Sequence, residues 1–159
     1  MYKIEIPGNP VTKKNSQRIA KDKNGKPHIL QSKQYTAYEV RCLNYLKRCK
    51  LPAGLPIHEP VTITCRYFMK SRRRVDLVNL IEATMDILVR AGILADDNSS
   101  IVTSHDGSRV MYDEKQPRAA IYIFPESEFD TLVQFKNKNV PRYGPEEYQT
   151  TGMNYYIND

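Results

Sequence analysis

The chain has 159 residues, with 24 Lys or Arg against 18 Asp or Glu, a formal net charge of +6 and 40% hydrophobic residues. That length lets one domain bury a core without staples, and the three cysteines, Cys42, Cys49 and Cys65, exclude a disulfide framework because they are odd in number and form no CxxC pair. No stretch reaches the roughly 18 apolar residues of a membrane span, and MYKIEIPGNP lacks the apolar run of a signal peptide, so a cytoplasmic chain with no membrane partner is expected.

The charge is divided along the chain. Residues 1–75 hold 17 Lys or Arg against 4 Asp or Glu, whereas residues 76–159 hold 7 against 14. A basic excess of that size attracts polyanions, of which phosphate backbones are the commonest; a merely solvated basic face is the plain alternative.

In chain order, YKIEI alternates Tyr2, Ile4 and Ile6 with polar residues and reads as a half-buried strand stopped by Pro7 and Gly8. The lysine-rich stretch that follows turns at Asn24-Gly25, a strong hairpin signal. From about Ser32, the spacing of Tyr35, Tyr38, Cys42, Tyr45 and Cys49 predicts one face of a helix, closed by the proline-rich LPAGLPIHEP. Those tyrosines are expected in the core rather than as base-stacking platforms. VTITCRYFM, residues 61–69, is the strongest strand and delivers the chain to Arg72, Arg73 and Arg74. Asp76 then suits an N-cap, and the helix it opens runs to a stop at Gly92. SIVTS, SRVMY and RAAIYIF read as three further strands forming a meander, with a turn at Asp106-Gly107 that accounts for the aspartate of the His105, Asp106, Arg109 group. The class is therefore α+β, a mixed sheet packed with two main helices. The domain is expected over residues 1–125, and 126–159 form a C-terminal extension of unassigned structure.

The helix after Asp76 carries the chemistry. At 100° per residue, Leu77, Leu80, Ile81, Thr84, Ile87, Leu88 and Ala91 form the inward stripe. Asn79, Glu82 and Asp86 share another flank, one turn beyond Asp76. Glu82 and Asp86 are like charges at i,i+4, which calls for a compensating cation. The ordinary compensator is Arg90, four residues on; the chemical one is a metal ion shared with Asp96-Asp97 just past the helix. Phosphodiester hydrolysis needs a hard cation held by carboxylates, and nearby arginines to hold the backbone against the acids. Lys13, Lys14 and Asn15, with Lys21, Lys23 and Lys26, are candidates for further phosphate contacts, with ordinary surface lysines as the plain alternative. No P-loop, dinucleotide fingerprint or GxSxG is present, so no nucleotide cofactor is expected.

The run RRRVDLVNLIEATMDILVRAGILADD resembles the RusA-type Holliday junction resolvases, whose characteristic segment is a basic run, Asp-Leu-Asp-Asn-Leu opening a helix, then a Gly-containing turn into Asp-Asp. Arg72 to Arg74, Asp76, Leu77, Asn79, Leu80, Asp86, Gly92, Asp96 and Asp97 match; a looser likeness runs from IPGNPVTKKNS through IYIF. The resemblance implies a RusA-like fold and a homodimeric, Mg²⁺-dependent endonuclease, common in phages and prophages, with Mn²⁺ as a possible substitute. Its substrate is a four-way junction or other branched DNA, cut by paired symmetric nicks. It implies catalytic roles for Asp76 and Asp97. Two positions depart from the pattern: Val78 replaces the second aspartate, and Glu82 stands where the family has a helix lysine. Glu82, one turn beyond Val78, can supply the missing ligand, giving metal ligands Asp76, Glu82 and Asp97 with Asp86 or Asp96 in support. The alternative is an inactive descendant that only binds branched or duplex DNA.

Overall fold

A computed structural model describes residues 2–13, 18–21 and 23–126. Lys14, Asn15 and all but the first residue of the 126–159 extension lie outside them. The elements are β1 (Tyr2–Pro7), β2 (Arg18–Lys21), β3 (Pro27–Leu30), α1 (Lys33–Leu46), β4 (Val61–Met69), α2 (Leu77–Arg90), β5 (Val102–Ser104), β6 (Arg109–Tyr112) and β7 (Arg118–Pro125). This is a mixed sheet with two main helices, as the pattern of the sequence predicts.

β4 is the spine of the sheet. β7 lies antiparallel on one of its edges and is covered in turn by antiparallel β1. The other edge of β4 is shared: β5 pairs in parallel at Val61 and Thr62, and β6 in parallel from Arg66 to Met69. The last three strands are therefore not a meander. β5 and β6 follow one another along one edge, and β7 crosses to the other. Between β5 and β6 the gap on β4 is filled by the loop. The carbonyl of Ile63 meets His105 Nδ1 at 3.2 Å, Thr64 Oγ1 donates to the carbonyl of Asp106 at 2.6 Å, and Ser108 Oγ accepts the amide of Cys65 at 2.9 Å. His105 and Asp106 thus complete a sheet edge that would otherwise leave polar backbone unsatisfied. Arg109 Nε donates to the carbonyl of Gly107 in the same turn.

Ile63, Cys65 and Tyr67 of β4, Ile121 and Ile123 of β7 and Ile4 and Ile6 of β1 join Tyr38, Cys42 and Leu46 of α1 and Leu80, Ile87 and Leu88 of α2 in one core. Each fully buried aliphatic side chain of this kind stabilises the fold by about 1.5–3 kcal/mol. Polar groups drawn into it are paired: the Tyr67 hydroxyl and Thr84 Oγ1 lie 2.8 Å apart, and Thr84 Oγ1 also donates to the carbonyl of Leu80. α1 opens on Ser32, whose Oγ accepts the Tyr35 amide, and ends at Leu46, so Cys49 falls past the helix. The three thiols are free, Cys42 and Cys65 are buried, and burial pushes Cys65 up to about 11. The Asn24-Gly25 turn joins β2 and β3 as a separate antiparallel ribbon.

Candidate active site

β4 ends at Met69, and the exposed Ser71 to Arg74 carry the chain to α2. The approach is tied down on two sides. The amide of Lys70 donates to Asn9 Oδ1 at 2.8 Å, and the amide of Asp113 donates to the carbonyl of Met69. The guanidinium of Arg72 sits 4.6 Å from the centre of the Tyr112 ring, a cation–π contact that orders the side chain without neutralising it.

Asp76 caps α2 as the sequence predicts. Its backbone is extended (φ −86°, ψ 121°), one carboxylate oxygen accepts the Val78 amide at 2.9 Å, and the other accepts Asn79 Nδ2 at 3.2 Å. An anion at that point also meets the positive end of the helix dipole. Val78 is 67% exposed, so the residue standing where the family pattern has an acid adds nothing to the core. Glu82 is half-buried one turn later, and helical side chains lean toward the N-terminus, over the turn that Val78 occupies.

Farther along the flank the pairing differs from the spacing rule. Asp86 pairs with Lys13 at 2.5 Å, and Arg90, the partner expected four residues on, reaches instead across to Glu39 of α1 at 2.7 Å. Glu39 is buried and also accepts from the Tyr35 hydroxyl, whose proton is held more tightly than usual by burial first and then by the charge of Glu39. Among the described residues Asp86 and Glu39 are thus each paired with a cation. No spacing signal links Lys13 to Asp86 or Glu39 to Arg90, since both pairs join distant parts of the chain.

The C-terminal end of α2 is closed by a Schellman arrangement. Gly92 (φ +69°) donates to Val89 and Ile93 to Leu88, which satisfies carbonyls the helix leaves open. Ile93 and Leu94 are buried, and the segment is pinned beside Ile57 by the bonds Ile57 N to Ile93 O and Ala95 N to Ile57 O. Asp96 then takes the hydrogen bonds of the turn, from the Asp97 amide and Asn98 Nδ2, and these hold its carboxyl below the usual 3.8. Asp97 is exposed beside it.

Asp76 and Asp97 consequently flank opposite ends of a 14-residue helix, about 21 Å long. Asp76 follows the exit of β4, and Asp97 follows Leu94, which is bridged to Ile57 on the entry side of β4. Among the described residues no three His, Cys, Asp or Glu gather into a group able to hold a metal ion. Glu82 lies about 9 Å and Asp86 about 15 Å up the helix axis from Asp76. The donor chemistry suits Mg²⁺, which takes hard carboxylate oxygens; what one chain does not do is bring the acids of both helix ends together. No helix among the described residues is long and apolar enough to cross a membrane.

An exposed arginine run feeding an N-capping aspartate, with a second acidic pair beyond the helix, is set into a mixed sheet with two helices. Residues 7–124 match the family described as Endodeoxyribonuclease RusA, and the chain belongs to that family. Its relatives include proteins named crossover junction endodeoxyribonuclease RusA from Shigella sonnei (strain Ss046), 33% identical, and from Escherichia coli (strain K12), 32% identical. The protein of that name from Enterobacteria phage 82 is 33% identical. Each match extends over 96 residues, 60% of this chain and 73% of the relative.

Proposed function

We propose that the protein is a homodimeric, Mg²⁺-dependent endonuclease that resolves Holliday junctions by paired symmetric nicks, with residues 1–125 as the catalytic domain and 126–159 as an extension. The observation that carries this reading is Asp76, an exposed carboxylate set at the head of α2 directly behind Arg72, Arg73 and Arg74. The arginines hold the phosphodiester backbone, and Asp76 presents oxygens beside it. A four-way junction has two-fold symmetry, which a dimer with two equivalent sites matches.

The metal ligands in this reading are Asp76, Glu82 and Asp97. Because Asp76 and Asp97 stand at opposite ends of α2, each site takes Asp76 and Glu82 from one protomer and Asp97 from its partner. Asp96 supports Asp97 by taking the hydrogen bonds of the turn. Glu82 replaces the acid absent at Val78. The bound cation supplies charge neutralisation at the phosphate and a more acidic water. The chain's own contribution is to orient that phosphate between the arginines and the acids. Mn²⁺, with the same preference for oxygen, substitutes.

A mixing experiment tests the arrangement. Asp76→Asn and Asp97→Asn homodimers should both fail to nick a synthetic junction in Mg²⁺. Mixed after dissociation, they should regain single nicks without full resolution, since one of the two shared sites then carries both native acids. Silence of the mixture would mean that the two acids serve within one protomer or not together. Glu82→Gln should abolish cleavage and weaken metal binding while leaving junction binding intact; unchanged nicking removes Glu82 from the site. The second reading is a catalytically inactive binder of branched or duplex DNA, favoured by the valine at position 78. Junction binding with no nicks from the unaltered protein would establish it.

A further inference from the structure

Lys13 is expected from its sequence position to grip DNA phosphate, yet its ammonium is spent inside the fold. Its side chain is 27% exposed, equal to that of Asp86, its partner. It lies on a strap that leaves β1 with the bond Gly8 N to Pro117 O, gives Asn9 Oδ1 to the amide of Lys70, buries Pro10, packs Val11 on the core and buries Thr12. The strap thus touches the residue that begins the approach to Arg72 at one end and the acidic flank of α2 at the other. Thr12 Oγ1 is buried without a hydrogen-bond partner among the described residues, which opposes docking. The strap's place therefore depends on the anchors on either side, Asn9 and Lys13.

We propose that Lys13 is a positioning residue of the nuclease site. By pairing with Asp86 it keeps the strap seated between the arginine run and α2, and it makes no phosphate contact. The inference rests on the nuclease reading for its effect on rate, but not for its effect on the strap. Without Lys13, Asp86 loses its ion-pair partner among the described residues, and Arg90 is already engaged by Glu39. The strap then lifts, the Lys70 amide loses Asn9, and the arginines no longer present the backbone in register with Asp76.

The test separates a phosphate contact from a positioning role. Junction affinity is measured without divalent metal across a salt series for the unaltered protein, Lys13→Met, Lys13→Arg and Asp86→Asn. A lost phosphate contact lowers the slope of log affinity against log salt by about 0.9 for duplex arms; Lys13→Met should leave it unchanged. In Mg²⁺, Lys13→Met should lower kcat about tenfold or more, as misplacement of reacting groups does, with KM little altered. Asp86→Asn should match it, the double variant should be no worse than either, Lys13→Arg should retain activity, and the exchanged pair Lys13→Asp with Asp86→Lys should recover it. A reduced salt slope, additive losses, or native kcat in Lys13→Met overturns the proposal. If the unaltered protein nicks nothing, the nuclease reading fails, and amide exchange decides the strap by itself. Lys13→Met should speed exchange at Lys70 and over Val11 to Lys13 but not in β7, and equal rates in the two proteins refute it.

Discussion

At the head of α2 one carboxylate has two tasks, while at its tail the tasks are divided between neighbours. Asp76 accepts both the Val78 amide and the Asn79 side chain, and it follows the arginine run by two residues. At the other end Asp96 takes the bonds from the Asp97 amide and Asn98, so that the main carboxylate acceptor of the turn is Asp96 rather than Asp97. Chemistry and stability are therefore entangled at one end of the helix and separable at the other, and substitutions can expose the difference.

The largest effect should come from removing charge at either end. Asp76→Asn and Asp97→Asn should each slow single-turnover nicking by at least about a hundredfold, equivalent to about 3 kcal/mol of transition-state stabilisation. Asn is as good a cap as Asp, so both variants should keep the native denaturation midpoint, and native cleavage by Asp97→Asn would detach the tail of the helix from the chemistry. Next in size, the unaltered protein should lose roughly a thousandfold in junction affinity between 50 and 200 mM salt if some six phosphates are neutralised. Replacing Arg72, Arg73 and Arg74 with alanine should flatten that dependence; weak dependence in the unaltered protein would count against the basic surface.

Stability should respond next. Asp76→Ala loses the cap and should cost about 1 kcal/mol, read as a lower denaturant midpoint. Gly92→Ala should cost a similar ~1 kcal/mol because of its positive φ alone, since an added Cβ there meets nothing within 4 Å; its nicking rate should hold, as the Asp76 end is undisturbed. The smallest effect is on acid stability. The carboxyl of Asp96 is held below 3.8 in the fold, first by the Asp97 amide and then by Asn98. A folded value below the unfolded one adds stability above the unfolded value, and that stability is lost as pH falls through the folded value. Asp96→Asn should therefore lower Tm slightly at pH 7, with the gap to the unaltered protein closing as pH falls below about 4.

Much of this architecture was legible along the chain because it is locally encoded. Asp76 as a cap, Gly92 as a stop, the β4 alternation and the Asn24-Gly25 turn each depend on a few adjacent residues. The meander was misread because a short strand, a turn and another short strand look alike whether the strands pair with each other or both pair with a third. The pairing of β5 with Val61 and Thr62 and of β6 with Arg66 to Met69 lays the two strands end to end on β4. At the site, residue types and helix ends were readable, but the expectation that Asp76 and Asp97 meet at one ion overlooked the length of α2, which sets them at opposite helix ends in one chain. Lys13 with Asp86 and Arg90 with Glu39 were not, because such pairs are fixed by how the strap, α1 and α2 pack.

Among the described residues the ribbon of β2 and β3 shares no sheet with the other strands, and it leaves Ile19 79% and Leu30 48% exposed. Two strands are too few to be independently stable in water, so this ribbon has little cooperative attachment to lose when it opens. Its tip at Asn24-Gly25 is accordingly the place to graft an epitope or a fluorescent label. A loop lengthened there leaves the ladder around β4 intact.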